Sequence, residues 1–139
     1  MKYLALIYGD EARWAGLWPE ERDREMREYV AVAQEDVTVG GNELDATATA
    51  TNVRVRDGET LVTDGPFVEL KEALGGYYIF ECGSIDEACR WAAKIPAARH
   101  GAVTAVGSAP WRARLDPGAR LRRRARRAPE RENGPSAGR

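Results

Sequence analysis

The stretch Lys2-Tyr3-Leu4-Ala5-Leu6-Ile7-Tyr8 constrains this chain more than any other. Read with the two-residue period of a strand, Leu4, Leu6 and Tyr8 share one face, and Tyr3, Ala5 and Ile7 share the other. A strand that is apolar on both faces must be covered on both, so it belongs in the middle of a sheet. The run is too short to span a bilayer. It also lacks the longer apolar stretch and small-residue cleavage site of a secretory signal. With 139 residues, 43% apolar and 31% charged, the chain is expected to form one soluble domain in the cytoplasm, with no membrane partner.

The rest of the chain supplies the cover for one face. Residues 9–18 read as a loop. Pro19 suits the first position of a helix, with Glu20 and Glu21 in its first turn. Met26, Tyr29, Val30 and Ala33 then recur at helical spacing and predict a buried stripe, with Arg22, Asp23, Glu25 and Arg27 on a solvated face. Val37-Thr38-Val39 predicts a short strand that stops at Gly40-Gly41, and residues 42–50 read as irregular. Alternation on both sides of Asp57-Gly58 predicts a β-hairpin. Tyr77-Tyr78-Ile79-Phe80-Glu81-Cys82 has the strongest strand propensity. Ser84 with Glu87 forms a capping box that opens a second helix, whose buried face is Ile85, Ala88, Cys89, Ala92 and Ile95. Pro96 ends it, and residues 102–106 read as a last strand.

Without the inserted hairpin, this order is βαββαβ, the ferredoxin-like α+β plan. Two helices cover only one face of such a sheet. The other apolar face of residues 2–8 therefore calls for a second copy of the chain, giving a homodimer.

The net charge of −1 conceals a division. Residues 1–107 hold 19 Asp/Glu against 11 Lys/Arg, whereas residues 108–139 hold 10 Arg against 3 Asp/Glu. The reading is an acidic domain over 1–107 followed by a basic, disordered tail over 108–139. Nucleic-acid binding through Arg120–Arg127 is the weaker reading, because Trp111 is the only aromatic residue near the run. Cys82 and Cys89 have no metal-ligand spacing and read as free thiols.

Several separated motifs resemble one family. Val53 through Gly58, Val62-Thr63-Asp64-Gly65-Pro66-Phe67, Lys71-Glu72 and Leu74-Gly75-Gly76-Tyr77-Tyr78 resemble the DGPF group of the YCII-related proteins. So do Met1-Lys2-Tyr3 with Tyr8-Gly9-Asp10, and Ile95-Pro96-Ala97-Ala98 with Gly101 and Val103. The resemblance covers nearly all of residues 1–104. It implies a ferredoxin-like subunit in a dimeric α+β barrel, with no metal or organic cofactor. Some relatives in the wider superfamily are similar to small-molecule enzymes, including a dehydrochlorinase of a chlorinated muconate, and those are associated with a His–Asp pair. Genes of the group often neighbour those of extracytoplasmic-function sigma factors, which implies a regulatory alternative. Where the dehydrochlorinase-like members carry a His early in the first helix, this chain reads Arg22-Asp23-Arg24-Glu25-Met26.

The candidate chemistry follows. Asp64, between a strand and Gly-Pro, is placed either to exchange a proton in a cleft or simply to build a turn; the turn is the heavier reading. His100 is the only histidine, and histidine is the side-chain type that ordinarily titrates near neutrality. If the two converge, they form an acid–base pair suited to proton transfer or elimination of a small polar metabolite. Tyr8, Gly65, Pro66, Phe67 and Tyr77 are the expected ligand contacts, with Phe67 read chiefly as an anchor of its loop into the core.

Overall fold

A computed structural model of the chain describes residues 1–68 and 70–111. The expected disordered tail, with its run Arg120–Arg127, lies outside the described residues apart from its first few positions; so does Glu69. Residues Met1–Ser108 form a compact unit.

The elements run β1 (Lys2–Gly9), α1 (Glu11–Gly16), α2 (Pro19–Ala33), β2 (Thr38–Glu43), β3 (Thr51–Arg56), β4 (Glu59–Asp64), β5 (Ala73–Glu81), α3 (Ile85–Ala92), α4 (Ala97–His100) and β6 (Ala102–Gly107). A four-stranded sheet has the order β2-β5-β1-β6, with every neighbouring pair antiparallel. β3 and β4 pair only with each other, in a separate two-stranded sheet. With these two set aside, the arrangement is mixed α+β and compatible with the ferredoxin-like plan.

β1 is central, as its two apolar faces require, paired with β5 on one side and β6 on the other. Ala5 and Ile7 are buried with Tyr78 and Phe80 of β5 against Val32, Ala92 and Ala97 of the helices and Ile95 between α3 and α4; Tyr3 and Ala88 are buried as well. Phe80 is fully buried and stacks on Tyr78 with centroids 5.9 Å apart. Burial of a side chain of that size stabilises the fold by roughly 2–3 kcal/mol. On the opposite face Leu4, Leu6, Tyr8 and Ile79 are only half-buried, and Val106 is exposed.

The local signals account for most element ends. At Asp57 and Gly58, φ is 51° and 78°, the left-handed pair that a tight two-residue hairpin turn requires. Ser84 Oγ accepts from the Glu87 amide at 3.1 Å, and Glu87 Oε2 accepts from the Gly83 amide at 2.9 Å. The capping box therefore closes one residue earlier than in its standard form.

Four expectations need correction. Residues 11–16 are helix rather than loop, because Asp10 Oδ1 accepts from the amides of Ala12 and Arg13 at 2.9 and 3.4 Å and caps a turn. Gly40-Gly41 does not stop β2. The strand bulges there and continues to Glu43, since a Cβ on Gly41, whose φ is +146°, would sit 2.5 Å from the Tyr77 carbonyl. Cys89 and Ile85 are exposed, and the inner face of α3 is carried by Ala88 and Ala92. The last correction concerns α2: its buried positions are Glu25 and Val32, while Val30 and Ala33 are exposed. No helix among the described residues is long and apolar enough to cross a membrane.

Candidate functional site

The shift of the apolar stripe on α2 has a direct cause. α3 and α4 pack on β1 and β6, whereas α2 meets the sheet chiefly at β2. The middle of α2 thus stands away from β1 and β5, and a cleft of about 880 Å³ opens between them. Met26, Tyr29, Val30 and Ala33, the stripe that periodicity assigns to the core, form its α2 wall. The ends of β1, β2 and β5, together with α1 and α4, form the rest. This volume is within the range of small-molecule sites.

α1 is fixed across one side of the cleft. Arg22 Nη2 donates to the carbonyls of Trp14, Ala15 and Leu17 at 3.2–3.4 Å, closing the free end of the short helix. Glu11 accepts from the Thr47 amide at 2.9 Å and from its hydroxyl at 3.0 Å. These contacts aim Arg13 inward. Its two terminal nitrogens reach Glu25 at 2.5 and 3.4 Å, a two-pronged pair with a carboxylate that is only 9% exposed.

Glu25 has a second partner. His100, at the end of α4, places Nε2 3.3 Å from Glu25 Oε1. Nearby, Arg99 pairs with Glu28 at 2.8 Å and ties α4 to α2. The hydrogen bond from Arg13 holds the Glu25 carboxyl below its ordinary range; burial opposes this, and the charges of Arg13, His100 and Arg99 reinforce it. The same bond raises the Arg13 guanidinium. Burial pushes Tyr29 upward, and Glu25 adds to the effect. Burial also pushes Tyr78 up to about 12, consistent with a neutral phenol that donates to the Tyr29 carbonyl at 2.7 Å.

The two groups stand at ion-pair distance without being aligned as a hydrogen bond, so what links them is the carboxylate's charge beside the ring. Arg13 keeps Glu25 charged, and that charge lies beside the His100 ring at the edge of the cleft. This is the carboxylate–imidazole logic of acid–base sites, here bordering a cleft.

The family model for the YCII-related domain matches residues 1–112. The chain belongs to the YCII-related family. It is 41% identical over 96 residues to the uncharacterized protein R00369 of Rhizobium meliloti (strain 1021), a match covering 66% of this chain and 77% of that protein.

In this YCII-related chain, the residues singled out from sequence fall into three places. His100 and Tyr77 border the cleft. Tyr8 is half-buried on the sheet face turned away from the helices. Asp64, Gly65, Pro66 and Phe67 lie at the end of the β3–β4 sheet and are not part of the cleft wall. Asp64 is exposed, at the end of β4 opposite Thr51. Gly65, with φ +90°, donates its amide to the Ala50 carbonyl at 2.7 Å and accepts from Asn52 Nδ2. Phe67 does not anchor in the core: it is 68% exposed and lies under the Arg54 guanidinium, 4.4 Å from ring centroid to Cζ. The carboxylate beside His100 is therefore Glu25, not Asp64.

Arg13 and Glu25 escaped the sequence reading for different reasons. The Asp10-Glu11 cap signal could have placed α1 and brought Arg13 into view. Glu25 carries no local signal, since only partners on two other elements make its burial tolerable. No group of three or more His, Cys, Asp or Glu among the described residues is arranged to hold a metal ion.

Proposed function

We propose that this protein binds a small polar metabolite in the cleft between α2 and the sheet and moves a proton there, as in an elimination. An unprotonated ring nitrogen of His100 takes the proton from a carbon beside an electron-withdrawing group. The C–H electron pair becomes the new double bond, and the leaving group departs with its own pair. Glu25 stays ionised and carries the resulting imidazolium. The observation behind this reading is that the only histidine meets a buried carboxylate at the wall of an 880 Å³ cleft. For Asp64 we propose the turn role, because the Gly65 contacts already explain the loop. The test is a metabolite screen by thermal shift on wild type, His100→Gln and Asp64→Asn. Hits shared by wild type and Asp64→Asn but lost in His100→Gln support the reading. No hits at all, or hits lost only in Asp64→Asn, defeat it.

We also propose that a second copy covers the face of Leu4, Leu6, Tyr8 and Ile79, as in a dimeric α+β barrel, with the β3–β4 hairpin as an insertion. The support is an apolar sheet face that this chain leaves half-buried. Light scattering should report a dimer at micromolar concentration and a monomer for Leu6→Asp. A wild-type monomer would contradict it.

A non-catalytic regulatory reading has its own support. Val53, Val55, Val62 and Phe67 are each more than half exposed around the hairpin, as suits a docking surface for a sigma factor. Binding of a purified extracytoplasmic-function sigma factor that Val53→Asp abolishes would favour it over catalysis. Binding that the substitution leaves unchanged would count against it.

A further inference from the structure

The proposed cleft reading leaves open what kind of molecule enters, and the charges around the cleft narrow the choice. Tyrosines aside, seven titratable side chains border it: Asp10, Glu11, Arg13, Glu25, Glu43, Asp45 and His100. Both basic groups are already committed to Glu25. The other four are carboxylates. Asp10 and Glu11 spend their hydrogen bonds on uncharged groups of the backbone and of Thr47, which leaves their charge in place. Glu43 shares a strand face with Gly41, on the cleft side of β2, and Asp45 follows two residues later. Among the described residues, neither Glu43 nor Asp45 has a cation within ion-pair distance. Apolar residues also line the cleft, Met26, Val30 and Leu44 among them, and Val30 and Leu44 are 45% and 39% exposed.

We infer that the cleft takes a small organic cation: an amine with a hydrocarbon body, its ammonium at the Glu43–Asp45 rim and its carbon chain along Val30 and Met26. The inference rests on the cleft being a ligand site and adds the charge class of the ligand. A carboxylate ligand of the same shape would meet four carboxylates that have no ion-pair partner among the described residues, with both basic groups of the cleft wall already paired to Glu25. Low-dielectric walls strengthen such discrimination, and salt weakens it at an exposed rim. The hydrocarbon body would cover apolar helix surface that the fold leaves in water.

The test uses the isotope-labelled full chain and three probes matched in shape: hexylamine, hexanol and hexanoate, titrated at pH 7.5 and low salt and followed by amide NMR shifts. Hexylamine should bind about 10-fold more tightly than hexanol, and hexanoate more weakly than either. That advantage should fall to about 3-fold in the double variant Glu43→Gln/Asp45→Asn, and likewise in wild type at 0.5 M salt. Hexanoate equal to hexylamine, or a hexylamine preference untouched by the double variant, overturns the charge inference while leaving the cleft reading standing. If none of the three moves resonances of the cleft wall, the cleft reading fails and the inference goes with it.

Discussion

β5 and the β3–β4 pair read alike in sequence, as strands with alternating apolar residues, yet they end in opposite environments. Phe80 and Ala5 in the four-stranded sheet are fully buried, whereas Val53 and Val62, facing each other across β3 and β4, are 64% and 61% exposed. The backbone pattern decides that a segment is a strand. Whether it carries energy depends on what lies over it. The same contrast divides the candidate chemistry. Asp64 sits exposed at the end of the β3–β4 pair. Glu25 is buried at the cleft wall, with the exposed His100 at its edge, and there burial makes a carboxylate require partners.

This contrast can be broken or sharpened by substitution. The largest effect should come from Phe80→Ala, which empties a fully packed position and should cost ~4 kcal/mol in urea unfolding; a loss under ~1 kcal/mol would mean that the sheet core is not where stability resides. Next is Gly41→Ala, expected to cost ~2–3 kcal/mol because the new Cβ meets the Tyr77 carbonyl and Tyr78 Cα at a backbone angle that L-residues avoid. Circular dichroism melts would show it as a lowered midpoint with unchanged secondary structure.

Glu25→Gln should cost ~2 kcal/mol at pH 7, since Arg13 and His100 lose a charged partner. The sign with pH is defined. The Glu25 carboxyl lies below its unfolded value, so its contribution is complete above the ordinary carboxylate range and disappears as pH falls through the folded value. The gap between wild type and Glu25→Gln should therefore close on acidification; a gap independent of pH would show that Glu25 acts through packing alone. The smallest effect is expected on the hairpin. Val53→Ala or Val62→Ala should change stability by less than ~0.5 kcal/mol in the isolated chain. A larger loss would reveal that something covers this sheet in solution.

Much of the fold was legible because its signals are local. The two-faced strand Lys2–Tyr8, the Asp57-Gly58 turn and the Ser84–Glu87 box each act within a few residues, and each has its expected consequence in the structure. The site was legible only in part. His100 stood out by being the sole histidine. Periodicity correctly found an apolar stripe on α2 but could not say whether core or cleft would face it: Met26, Val30 and Ala33 wall the cleft, and Glu25 turns inward one position before Met26. A buried carboxylate is stable only with partners, and here they come from α1 and α4, so no pattern within α2 announces it. Asp64 attracted attention because its motif is distinctive, and the motif includes Gly65 with its φ of +90° and its bond to the Ala50 carbonyl.

The account depends most on Glu25 holding the His100 imidazole, and one measurement reads that contact alone. Because the chain has a single histidine, long-range nitrogen–proton NMR of the ring gives its tautomer without ambiguity. Glu25→Gln removes the charge beside the ring and should shift the ring nitrogens. A ring spectrum indifferent to Glu25→Gln would contradict the account.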